Sequence, residues 1–163
     1  MPADRQTDAP PEVVAAFTAA TVTTFEELTQ TSLVPGEVYL TRTTPPVDWV
    51  TAAITLRRAA EGRLMVAFPR PVLEALTARY LGDRTPLTPE LVDDAAGEFA
   101  NVIAGQAKTM LRGTPYHYAL STPRLGKDGD PPGTEMEFLA LPFHTDIGRF
   151  TVLVALPAYP TTP

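Results

Sequence analysis

TPELVDDAAGEFANVIAGQAKTMLRGTP, residues 88–115, is the longest stretch of the chain that reads as one element. Thr88 suits an N-cap, because its hydroxyl can accept from an N–H that the first helical turn leaves unbonded. Pro89 fits the first helical position, where a missing N–H costs nothing. Glu90, Asp93 and Asp94 favour the positive end of the helix dipole. The stop comes at Gly113, with Pro115 behind it. The spacing predicts a helix over 89–112 whose core stripe is Leu91, Ala95, Phe99, Val102, Ile103 and Met110.

Upstream, a second helix is bracketed by Pro71 and Gly82, with Val72, Leu73, Leu76 and Tyr80 as its stripe. Before it, Val50, Ala52, Ile54 and Leu56 alternate with more polar neighbours, and Leu64, Val66 and Phe68 alternate again across a turn at Glu61-Gly62. Residues 49–68 therefore read as a β-hairpin. A further strand is expected over 37–42. The first helix runs from Pro11-Glu12 to about Thr31 with Val13, Phe17, Ala20, Phe25 and Leu28 inward, ahead of a turn at Pro35-Gly36. Downstream, residues 117–121 form a short strand candidate and 127–133 a loop. Residues 135–143 and 150–156 form a C-terminal hairpin, in which Pro142 must sit at a strand end, an edge or a bulge. The sum is an α/β (α+β type) domain over 11–157, an antiparallel β-sheet of hairpins with long helices packed on it, between tails at 1–10 and 158–163.

Composition narrows the chemistry. The chain has 163 residues and no cysteine, which removes disulfides, thiolate metal sites and cysteine nucleophiles together. With 13 basic against 19 acidic residues the net charge is −6, so no basic stripe invites nucleic acid. No apolar run approaches a membrane span and the N-terminus lacks a signal-peptide core, so a cytoplasmic protein is expected. No phosphate-binding glycine loop, nucleophile elbow or zinc motif occurs. His117 between Tyr116 and Tyr118 reads as a structural histidine among half-buried strand aromatics, and His144 has no supporting motif.

The unusual feature lies within the long helix. Asp94, Glu98, Asn101, Gly105 and Lys108 follow one another at alternating steps of four and three residues, which places them on one face. Asn is a poor mid-helix residue, and two glycines there cost about 1 kcal/mol each relative to Ala. Gly97 and Gly105 lie four residues before and after Asn101. Spacing alone leaves two readings open: glycines for close packing inside the fold beside an ordinary solvated face, or a carboxamide with room to enter a partner.

The string Asp94-xxx-Glu98-xx-Asn101, continuing Val-Ile-Ala-Gly105-Gln-Ala-Lys108, resembles the signature of the CheC/CheX/FliY phosphatase family, and CheX most. Pattern-level similarity extends over residues 12–157, through Ser121-Thr122-Pro123 and the C-terminal hairpin. The motif occurs once, since residues 26–30 (EELTQ) supply no Asn at the matching position, and Pro123 stands about one residue from the family's proline. The resemblance implies a phosphatase that accelerates hydrolysis of the aspartyl-phosphate of a phosphorylated CheY-type receiver domain. It implies Glu98 and Asn101 as catalytic residues, and Asp94, Gly97, Gly105 and Lys108 as partner-binding or supporting ones. No cofactor or metal is expected on this chain, with Mg²⁺ expected in the receiver. A homodimer is implied too, with an exposed edge strand as the route. The alternative is a noncatalytic binding or assembly module of the same fold that docks a receiver or dimerises without turnover.

Overall fold

In a computed structural model, residues 9–57, 61–82, 85–120, 124–125 and 136–156 are described. Four long strands carry the sheet: β3 (Trp49–Arg57), β4 (Gly62–Pro69), β7 (Phe138–Thr145) and β8 (Gly148–Ala155). Short strands flank them: β1 (Val34–Pro35) and β2 (Tyr39–Thr41) on β7, β5 (Ala119–Leu120) and β6 (Arg124–Leu125) on β3. All pairings are antiparallel, in the order β1-β7-β8-β4-β3-β5. The alternation read along residues 49–68 is the β3–β4 hairpin, with Ile54 opposite Leu64 and Ala52 opposite Val66.

Helices α1 (Pro11–Thr29), α2 (Arg70–Leu81) and α3 (Pro89–Met110) complete the fold. They share one core with the residues of β3, β4, β7 and β8 that point to one side of the sheet, among them Ile54, Val66, Phe143 and Val152. At its centre the Phe25 ring lies 4.9 Å, between centroids, from both Phe99 of α3 and Phe150 of β8. One side chain thus joins two helices to the sheet.

Several boundaries differ from expectation. Helix α1 stops at Thr29 because Gln30 turns left-handed (φ 52°) and donates its N–H to the Phe25 carbonyl. Val34 and Pro35 pair with β7 instead of forming a free turn. The C-terminal hairpin pairs further toward its turn than expected, and the turn is tighter, with Thr145 opposite Gly148. Gly148 has φ 130°, and a Cβ there would stand 2.6 Å from Val72, so glycine lets this turn lie on α2. Pro142 sits inside β7 opposite Thr151, yet its ring faces the break between β1 and β2, where its carbonyl accepts from Gly36 N–H at 2.8 Å. Pro142 thus stands within a strand and not at its end, at the interruption between β1 and β2, where the loss of one N–H interrupts neither short strand. The expected strand over 117–121 shrinks to β5. The Ser121–Pro123 similarity, the 127–133 loop, the tail over 158–163 and residues 1–8 of the N-terminal tail lie outside the described residues.

The same turn is clamped from a distance. Arg79 of α2 donates to both carboxylate oxygens of Asp146 at 2.7 and 3.1 Å, and to the Thr31 hydroxyl at 2.8 Å. This guanidinium fastens the end of α1, the last turns of α2 and the β7–β8 turn together, and it holds the Asp146 carboxyl below its ordinary range.

Tyr116 and His117 are half-buried on the loop ahead of β5, while Tyr118 is buried. Its ring stacks on Phe17, and its hydroxyl donates to the Ala104 carbonyl at 2.8 Å. Burial raises its ionisation well above the usual tyrosine range. A phenol with a raised folded-state pKa stabilises the fold fully below about pH 10 and loses that contribution as pH climbs further. Tyr118→Phe is expected to cost about 1 kcal/mol at pH 7, the net worth of one buried hydrogen bond. In urea titrations the gap to wild type should close, then reverse, above about pH 10. A constant gap across that range would contradict the assignment.

Candidate functional site on the exposed face of helix α3

Helix α3 is capped as its sequence dictates: the Thr88 hydroxyl accepts from Leu91 N–H at 3.2 Å, and Pro89 opens the first turn. Its buried face is Val92, Ala95, Ala96, Phe99, Ala100, Ile103, Ala104 and Ala107. The expected stripe is thus corrected. Leu91 and Val102 are only half-buried, and Met110 is 45% exposed. The alanines take their place, since small side chains let α3 lie close to α1 and the sheet.

The remaining face carries the candidate residues. Asp94, Glu98 and Asn101 are exposed, and Gly97, Gly105 and Lys108 are half-buried beside them. The helical spacing read from sequence therefore does bring all six to one side of α3. Among the described residues, none hydrogen-bonds or ion-pairs with the Asn101 amide or the Glu98 carboxylate. A Cβ built on Gly105 would meet nothing within 4 Å among the described residues. Internal packing therefore does not account for that glycine, and one of the two open readings of the helix face is removed at this position.

The helix beneath is tethered on both sides of Asn101. Arg70, at the start of α2, reaches Asp93 at 3.2 Å, and Tyr118 holds the Ala104 carbonyl from below. Asp93 and Tyr118 are read from the sequence only as a dipole-favouring acid and a strand aromatic, and neither tethering role is legible there. Arg70 and Asp93 are 23 positions apart and carry no motif, and Tyr118 looked like an ordinary strand aromatic. Such supports matter because a side chain can position a reacting group only as well as its own backbone is fixed. Chemically the face offers an amide that both donates and accepts, and a carboxylate one turn away. These groups can orient a water molecule and dock a cation, while the nucleophile and the electrophile come from elsewhere.

Over residues 50–144, from β3 through α2 and α3 into β7, the sequence matches the profile described as chemotaxis phosphatase CheX. The chain belongs to the CheX family. Among solved structures, CheX from Desulfovibrio desulfuricans is 27% identical, with a TM-score of 0.78 over 90% of this chain and 99% of that one. A protein of Desulfovibrio vulgaris Hildenborough with a proposed role in chemotaxis is 29% identical, with a TM-score of 0.81 over 94% of this chain and all of the other. CheX from Borrelia burgdorferi, solved in complex with CheY, BeF3 and Mg²⁺, shares the fold at 16% identity and a TM-score of 0.72, covering 88% of this chain and 97% of that one. No curated protein matches the chain. The CheX resemblance drawn from the α3 motif and the fold class expected from the alternation both hold.

Among the described residues of this CheX-family chain, no three or more His, Asp or Glu side chains are grouped to hold a metal ion. No described helix is long and apolar enough to cross a membrane.

Proposed function

We propose that this CheX-family protein accelerates hydrolysis of the aspartyl-phosphate on a CheY-type receiver domain, with Asn101 and Glu98 as its catalytic pair. The observation that carries the reading is the exposed, unengaged Asn101 amide on a tethered helix beside the open space at Gly105. In the reaction, water adds to phosphorus as the bond to the aspartyl oxygen breaks, giving back the carboxylate and releasing phosphate. Such transfers ask little covalent chemistry of a helper and depend on holding the nucleophile in line. Asn101 inserts its carboxamide and orients the water; being neutral, it adds no charge beside the phosphoryl oxygens. Glu98 pairs with a lysine of the receiver site and sets the register of docking. Asp94 and Lys108 flank the contact, Gly97 and Gly105 permit close approach, and Mg²⁺ is held by the receiver. That B. burgdorferi CheX was solved with CheY makes a CheY-type receiver the first partner to test. A cytoplasmic homodimer belongs to the same reading, and sedimentation of the chain alone tests the pairing.

The direct experiment follows decay of a phosphorylated receiver with and without this protein. Acceleration is expected; unchanged decay across several receivers of the same organism overturns the reading. Phosphorylation-dependent binding without faster decay would instead support the noncatalytic module. Gly105→Ala separates fold from function. Removing a mid-helix glycine where the new methyl meets nothing should raise stability by up to about 1 kcal/mol. The same methyl stands in the docking path, so the decay assay should show weaker acceleration from a more stable protein.

A further inference from the structure

The side of the sheet opposite the helices carries a built cleft. Strand β2 pairs with β7 and strand β3 with β4, so the sheet order places β7, β8 and β4 between β2 and β3. Residues 42–48 must bridge that gap, four strand spacings or roughly 19 Å at about 4.8 Å each. They cross as a strap stiffened by Pro45-Pro46, whose rings fix the backbone in extended form. Between strap and sheet lies a cleft of about 640 Å³, within the range of small-molecule sites.

Its floor is low because Ala67 and Thr151, direct partners on β4 and β8, are small. Trp49, the only tryptophan of the chain, forms one wall. At the mouth His144 and Arg149 face each other across the β7–β8 ladder, both exposed. Among the described residues, neither side chain has a hydrogen bond or an ion pair. Glu37 is the acidic residue of the lining. In a chain of net charge −6, an unpaired guanidinium beside an imidazole at the rim of an aromatic-walled cleft is charge-complementary to an anion.

We propose that this cleft is a binding site for a small aromatic carboxylate, with the ring against Trp49 over the Ala67–Thr151 floor and the carboxylate held by Arg149 and His144. The site lies across the sheet from α3 and is independent of the reading given for that helix.

Benzoate is the probe, with fluorescence of the full chain as the readout, since all tryptophan emission comes from Trp49. Saturable quenching with a Kd of roughly 1 mM is expected for so small a ligand. Arg149→Ala should weaken it about tenfold, the effect of losing one charge-assisted hydrogen bond. Benzamide, flat but uncharged, should bind wild type about as weakly as benzoate binds the variant. Receiver decay should be unaffected by Arg149→Ala, so failure here leaves the α3 reading standing. Absence of saturation, or equal affinity for wild type and Arg149→Ala, overturns the proposal. So does a concentration-dependent dimer that abolishes the quenching, which would assign this face to a second copy of the chain.

Discussion

Asn101→Ala is expected to abolish acceleration of receiver dephosphorylation while leaving the protein folded and no less stable. Asn101 is exposed on α3 and bonded to no described residue, so its removal breaks nothing inside the fold. Alanine is the better helix former by about 0.6 kcal/mol, so the melting temperature should hold or rise slightly. The catalytic loss should be large because the amide's whole task is placement of the nucleophile. A misplaced nucleophile costs on the order of a hundredfold in rate. Decay of the phosphorylated receiver under saturating variant should then approach the rate without helper. Glu98→Gln should behave differently, raising the concentration needed for half-maximal effect more than it lowers the maximal rate, since its proposed task is docking. If Asn101→Ala dephosphorylates as wild type does, the assigned mechanism is wrong even if the activity stands.

The second large effect is on stability. Phe25 is fully buried, and its ring lies 4.9 Å from Phe99 and Phe150 and 6.3 Å from Phe68. Truncation to alanine removes buried area and leaves a cavity among three rings that belong to different elements. Such losses run to about 3–5 kcal/mol. Domains of this size hold roughly 5–15 kcal/mol in total, so Phe25→Ala should lose between a fifth and all of its stability. Denaturant titration measures it as a lower midpoint, and Phe25→Leu should recover most of the loss. A cost below about 1 kcal/mol for the alanine variant would mean the cluster is not the centre of the core.

The parts of this architecture that were legible in the sequence are those fixed by local chemistry. Thr88-Pro89, Pro71 and Gly82 mark helix ends because capping and backbone freedom act within a few residues. The β3–β4 hairpin was legible because alternation has a period of two on any one-sided sheet. The α3 motif could be read because helical spacing alone puts Glu98 and Asn101 on one face. The buried stripe of α3 was misassigned because large residues were weighted over alanines. Ala96, Ala100, Ala104 and Ala107 are all fully buried, and only a partner helix at close range reveals that. The Arg79–Asp146 clamp joins residues 67 positions apart, and Arg70–Asp93 joins residues 23 apart. No periodicity encodes such pairs, since they exist only once the strands are ordered. Whether Gly105 served packing or space was likewise undecidable until its surroundings were known.

Among the described residues, the outermost strands of the sheet are β1, β2, β5 and β6, each only two or three residues long. A fragment that short offers too few free backbone donors and acceptors to template another chain by ladder extension. Among the described residues, both margins of the sheet are thereby blunted against runaway stacking into fibres. An edge-strand dimer would draw on few backbone groups of the described short strands. Side-chain surfaces, on a helix or a sheet face, are the other route by which two copies can pair, and competition and mutagenesis can address them one residue at a time.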